Sequence, residues 1–178
     1  YFERHDGQAA TIEDFLAALG DANGVDLMPY LSWYAQAGTP RLHAQGEYDA
    51  ARKTYTLTLS QHTRATPHQP EKAPLPIPVK LSLFDRSGHV LALHIDAEAP
   101  ETEKVVVISQ ASQSFVFQHI DTSPVPSLLR GFSAPVLLEY AYAPAELALL
   151  LTHDPDGFNR WEAGQHLAFL AFESLTAS

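Results

Sequence analysis

The hydrophobic period of this chain changes twice, from helical to strand-like near Pro40 and back to helical near Pro144. A chain that switches period in this way cannot be one uniform layer. In the first forty residues, Thr11-Ile-Glu-Asp14 sets a capping hydroxyl three residues before a carboxylate, a variant of the capping box. Phe15, Leu16 and Leu19 follow at helical spacing, and Gly20 can end that helix. Asp26 is a second cap, before Leu27, Tyr30, Leu31 and Tyr34 on one helical face, with Gly38 and Pro40 as the stop. Two short helices are therefore predicted.

Beyond Pro40 the period is 2. Tyr55, Leu57 and Leu59 alternate with Thr54, Thr56, Thr58 and Ser60, and Val79, Leu81 and Leu83 with Lys80 and Ser82. Asp85-Arg-Ser-Gly88 reads as a turn and Val90–Leu93 as a return strand, giving a hairpin over 79–95. Val105-Val-Val-Ile108 is a continuous apolar run, expected to be buried on both faces or closely packed. Phe115 and Phe117, the stretch 136–140 and the segment near 41–48 complete about seven strands, the number of an antiparallel β-sandwich. Residues 67–78 carry Pro67, Pro70, Pro74, Pro76 and Pro78, which excludes helix and central strand and predicts an extended connection. Residues 96–103, with Asp96, Glu98, Glu101 and Glu103, read as a solvated acidic loop. From Pro144 the pattern gives two helices separated by Asp154-Pro-Asp-Gly157. The expected fold is mainly β with helical flanks: an antiparallel β-sandwich of about seven strands, two short helices before it and two after.

Composition narrows the function. The 178 residues hold 46% apolar side chains, enough for a real core. Against 21 Asp+Glu stand 11 Lys+Arg, a net charge of −10, which argues against nucleic acid as a partner. The absence of cysteine excludes a disulfide scaffold, a thiolate zinc site and a cysteine nucleophile. No apolar stretch approaches the ~20 residues that span a bilayer, and no leader pattern is present, so no membrane partner is expected. The chain opens at Tyr1, without Met, inside sequence that reads as structured.

No constellation carries chemistry. The nine histidines, His5, His43, His62, His68, His89, His94, His119, His153 and His166, contain no H-E-x-x-H pair. Asp154, Asp156, Asn159 and Glu162 imitate a calcium loop, but Gly157 and Glu162 stand at the wrong positions, and a helix stop followed by a cap explains them. Acidic residues 96–103 lack calcium-ligand spacing as well. Gly131-Phe-Ser133-Ala-Pro135 is half of a nucleophile elbow, with Pro135 in place of the second glycine and a strand where a helix is required. Tyr30, Trp33 and Tyr34, like Phe158 and Trp161, read as packing surface. No catalytic, cofactor-binding or metal-ligating residue is expected.

Several segments nevertheless resemble the bacterial aminopeptidase N family of zinc metalloaminopeptidases (gluzincins). These are Tyr1–Phe15, Trp33–Pro40, Tyr55–Gln61, Thr66-Pro67 with Glu71-Lys72 and Pro74-Leu75, Phe115–Phe117, Pro124–Leu129, Phe132–Tyr140 and Phe158–Ala163. The series runs in order along nearly the whole chain. The resemblance implies that 1–39 are the last helices of a catalytic domain, 40–142 a β-sandwich linking domain and 143–178 the first helices of a C-terminal helical domain. The family's zinc motif, its substrate-amine motif and its transition-state tyrosine precede this stretch, so none of those residues carries over.

The implied parent is a zinc-dependent, membrane alanyl aminopeptidase-like enzyme of the cytoplasm that removes N-terminal residues from peptides through zinc-activated water and a glutamate base. This segment, with no zinc of its own, is expected to be an inactive brace between the catalytic and C-terminal domains. Helices at its cut ends are expected to leave apolar faces open to self-association. A self-contained β-sandwich binding module is the alternative, since the fold alone excludes neither.

Overall fold

The computed structural model describes residues 1–95 and 99–176. Its elements are α1 (Phe2–His5), α2 (Ile12–Asn23), a 3-10 turn (Met28–Leu31), α3 (Ser32–Ala35), then β1 (Arg41–Asp49), β2 (Thr54–His62), β3 (Ile77–Phe84), β4 (Lys104–Ile108), β5 (Ser112–Phe117), β6 (Val125–Leu128) and β7 (Leu137–Glu139), and finally α4 (Pro144–His153) and α5 (Gly157–Thr176). Two sheets face each other, in the orders β5-β2-β1-β7 and β4-β3-β6. All neighbours are antiparallel except β1 and β7. The architecture is the expected β-sandwich with helical flanks.

Alternation builds the core. Leu42 and Ala44 of β1, Tyr55, Leu57 and Leu59 of β2 and Phe117 of β5 point inward from one sheet. Ile77, Val79, Leu81 and Leu83 of β3, Val106 and Ile108 of β4 and Leu128 of β6 meet them from the other. Thr54, Thr56, Thr58 and Ser60 remain on the outer face, where the Thr58 and Ser114 hydroxyls lie 2.9 Å apart across the strands.

Four local readings differ from expectation. Val90–Leu93 is not a strand. The Asp85 turn forms, Phe84 bridges Val90 and the Leu91 N–H bonds the Leu83 carbonyl at 2.8 Å, but from Leu81 back β4 holds that edge of β3, so the return stops there and Leu93 bridges Glu101 instead. The seventh strand is instead β6, hidden in the sequence by Pro126; it is tolerated because β6 is an edge strand. Pro78 lies inside β3, the middle strand, but at a point where only β4 runs beside it, since β6 pairs residues 81–84. The apolar run of β4 buries Val106 and Ile108 only; Val105 and Val107 stay 51% and 38% exposed because alternation turns them to the outer face of their sheet.

The helical flanks differ in detail. Thr11 and Asp14 form the reciprocal capping box, but α2 continues through Gly20 to a left-handed Gly24 cap. The second predicted helix is a 3-10 turn followed by the single turn of α3. Among the packing aromatics, Trp33 reaches the core whereas Tyr34 and Trp161 are exposed.

Gly46 shows how tightly the sandwich is filled. A Cβ there would collide with the Tyr55 ring and hydroxyl, which occupy the space a side chain would need. Gly46→Ala therefore overpacks the core and should lower stability by about 1–3 kcal/mol, read as a fall in the urea midpoint at unchanged slope.

Candidate functional site

The most densely bonded polar cluster of the described residues lies where the sandwich meets α4 and α5. Its centre is Asp154, 1% exposed, at the end of α4. One carboxylate oxygen accepts from Arg130 Nη1 at 2.7 Å and from the Asp156 backbone N–H at 2.8 Å. The other accepts from the Ser127 hydroxyl on β6 at 2.6 Å. Asn159 donates to Ser127 Oγ at 2.7 Å and to the Leu128 carbonyl at 2.9 Å, so the start of α5 is bonded to the same strand.

Arg130, 5% exposed, uses its Nε for Glu103 at 2.7 Å, and Glu103 in turn holds Lys80 Nζ at 2.6 Å. Two cations and two carboxylates thus balance in one chain of contacts. A charge this deeply buried survives only when paired and fully hydrogen-bonded. Glu103 therefore belongs to this joint and not to the solvated acidic loop expected from the sequence; Asp96 and Glu98 lie outside the described residues. Both cations hold the Glu103 carboxyl below the usual carboxylate range, Lys80 first and Arg130 second.

The backbone that carries Arg130 is unusual. Leu129, Gly131 and Phe132 all have positive φ, at 55°, 59° and 55°. For the two non-glycine residues this conformation costs roughly 1–3 kcal/mol each and persists only where the surroundings enforce it. Asp156 helps to enforce it: one of its oxygens accepts from Gly131 N–H at 2.8 Å, while the other caps α5 through Asn159 N–H at 2.9 Å.

Beside the polar cluster lies a second apolar core in which Phe84 and Val125 of the strands pack with Leu147, Leu150 and Ala163 of the helices. Arg86 donates to Glu146 at 3.0 Å, and Tyr142 Oη donates to the Pro126 carbonyl at 2.8 Å. Gly88, at φ 87°, lets its turn lie flat on the His153 ring, where any Cβ would clash. A groove of about 370 Å³ opens alongside, lined among others by Phe132, Tyr140, Phe158 and His166.

The opposite joint is built differently. Pro70, Pro74 and Pro76 deprive their segment of ladder donors, and glutamine amides stand in for a neighbouring strand. Gln36 exchanges two bonds with the Ala73 backbone at 2.8 and 3.1 Å, and Gln61 bonds both the N–H and the carbonyl of Leu75 at 2.8 Å. Gln69 bridges Ala35 and Ala37 at 2.9 and 2.8 Å. Lys72 Nζ reaches the Ala37 carbonyl at 2.8 Å, and Trp33 Nε1 the Pro76 carbonyl at 2.8 Å.

The motifs weighed in the sequence have structural roles. Ser133 donates to the Pro78 carbonyl and accepts from the Lys80 N–H, both at 3.0 Å, so its hydroxyl continues the sheet where β6 stops. Asp154, Asp156 and Asn159 serve the joint, while Glu162 lines the groove. His94 and His119 meet edge to face at 5.0 Å. Among the described residues no three His, Asp or Glu side chains converge to hold a metal ion. Sequence reading missed Arg130, whose isolation between apolar stretches was the available signal, and took Glu103 into the acidic loop.

Comparison with known proteins now bears on this architecture. Residues 38–141 match the family described as a domain of unknown function (DUF3458) with an Ig-like fold. The chain belongs to the DUF3458 family. Residues 144–177 match the companion family DUF3458_C, described as ARM repeats. The chain is 46% identical over 167 residues to aminopeptidase N of Escherichia coli strain K12, and 41% identical over 167 residues to that of Haemophilus influenzae, covering 94% of this chain and 19% of each relative. It is 46% identical over 168 residues to aminopeptidase N of Caulobacter vibrioides, covering 18% of that protein. The crystal structure of Legionella pneumophila aminopeptidase A in complex with aspartic acid superposes with a TM-score of 0.82 at 32% identity, over 99% of this chain and 19% of that one. This DUF3458 chain thus spans about a fifth of the length of the relatives it matches.

Two outcomes are expected of the joint. Arg130→Met strands a buried carboxylate and should cost about 3–5 kcal/mol; adding Asp154→Asn should return part of that loss, measured by denaturation of both variants. Because the folded-state pKa of Glu103 is depressed, its contribution is present above the unfolded value of about 4.3 and is lost as pH falls through the lower folded value. Glu103→Gln should therefore flatten the fall in melting temperature below about pH 4.3.

Proposed function

We propose that this chain is a non-catalytic brace within a longer zinc-dependent aminopeptidase that removes N-terminal residues from peptides in the cytoplasm. Residues 1–39 would close the catalytic domain, 40–142 form the linking sandwich and 143–178 begin a C-terminal helical domain. The observation that carries this reading is that both ends of the sandwich are keyed to helices by side chains that reach across: glutamines and Trp33 on one side, Arg130 and Ser127 on the other. The names of the relatives, and the fifth of their length that the chain spans, support the placement inside a larger peptidase.

The zinc of such a parent does not fit the described residues, which bring no three candidate ligands together; in this reading it is held by other parts of the enzyme. The partners of this segment are then the catalytic and C-terminal domains of its own chain. The second half of α5 supports the latter. Phe169, Phe172 and Leu175 are 63%, 70% and 75% exposed, a face that a helical-repeat neighbour would cover. In isolation the same face invites contact between copies of the segment. No helix among the described residues is long and apolar enough to cross a membrane.

The experiment is direct. The 178-residue chain, incubated with zinc and an aminoacyl-amide substrate, should show no metal-dependent hydrolysis. Turnover that a chelator abolishes would remove the bracing account.

A further inference from the structure

The two family matches meet between residues 141 and 144, which divides the sandwich from the helices. The physical contacts ignore that division. Phe84 and Val125, both with no exposed surface, have as their buried neighbours Leu147, Leu150 and Ala163 from beyond it. The carboxylate of Asp154 finds its partners on β6 and in the turn after it, and the left-handed turn that aims Arg130 is bonded by Asp156. The sandwich has a main core of its own, but this second core and the bonds of Asp154 and Asp156 are completed only across the boundary.

We propose that the sandwich, α4 and the first half of α5 form one cooperative mechanical unit locked by Arg130 and Asp154, and that the separable boundary toward the rest of the helical domain lies beyond Gly164. This deepens the bracing reading and rests on it for its role, although the unit itself is a property of this chain. The last buried residue of α5 is Ala163; from Ala168 to Thr176 every residue is exposed. By contrast the buried residues of α2, Leu16, Ala18 and Gly20, belong to neither core that includes the strands, and α1 buries none. Elements with few buried contacts open locally, whereas elements sharing a core open together.

Hydrogen exchange on the full 178-residue chain over a series of sub-denaturing urea concentrations separates these cases. The inference predicts that amides of α4 agree in protection with those of β3 and β6 to within about tenfold and share their urea dependence, while α2 exchanges faster with little urea dependence. In Arg130→Met the protection of α4 and β6 should fall by the same factor, and Phe172→Ser at the exposed end of α5 should change neither. If α4 exchanges a hundredfold or more faster than β3 with a shallow urea dependence, or if Arg130→Met loosens α4 alone, the inference is overturned. Should the Arg130 variant not fold, the wild-type comparison decides by itself. Neither outcome depends on whether the longer protein is a peptidase, which the hydrolysis assay addresses separately.

Discussion

The buried carboxylate of Asp154 is the constraint around which the rest of the structure is arranged. An ionised group with about 1% exposure cannot be left to itself, because removing it from water costs several kcal/mol unless partners replace the lost hydration. Arg130, Ser127 and the Asp156 N–H supply those partners, and each comes from a different local structure. To bring Arg130 inward the chain accepts positive φ at the three residues around it, Leu129, Gly131 and Phe132. A strained segment of this kind is stable only because strand, turn and helix all converge on it. The orientation of the helical hairpin on the sandwich follows from that convergence.

The two joints use different physics. On the side of α4 and α5, opposite charges and a shared apolar core fix both distance and direction, since charged hydrogen bonds are strong and directional. Toward α3, neutral glutamine amides and one tryptophan bond a proline-rich segment whose missing N–H groups would otherwise leave it without a ladder. Neutral amide contacts at partly exposed positions contribute about 0.5–1.5 kcal/mol each, so this joint draws its order from number instead of burial. A brace needs both ends specified; here one end is locked and the other laced.

Much of the fold was legible in the sequence because period reports burial directly. β2, β5 and the first half of β3 alternate, and α4 and α5 begin where Pro144 and Gly157 suggest. What escaped was tertiary. The strand around Pro126 was not foreseen, and its edge position tolerates the proline; Val90–Leu93 had a strand's composition, but β4 holds the edge of β3 along which it would have continued. The half-motifs around Ser133 and Asp154 lie twenty-one residues apart and looked like two failed active sites. Folded, they are two parts of one joint, and no periodicity argument could have paired them, because ion pairs of high sequence separation leave no local trace. The resemblance segments Pro124–Leu129 and Phe158–Ala163, and on the other side Trp33–Pro40 with Pro74-Leu75, turn out to be the segments from which the joints are built.

The central claim is that the helical hairpin is held at one fixed geometry on the sandwich. Because the chain has no cysteine, spin labels can be placed singly and cleanly, for instance at Ser112 on the exposed edge of the sandwich and Thr152 on the exposed face of α4. The distance distribution between them, measured by pulsed dipolar spectroscopy, should be a single narrow peak that broadens in Arg130→Met. A broad or two-peaked distribution in the unaltered background would contradict the account.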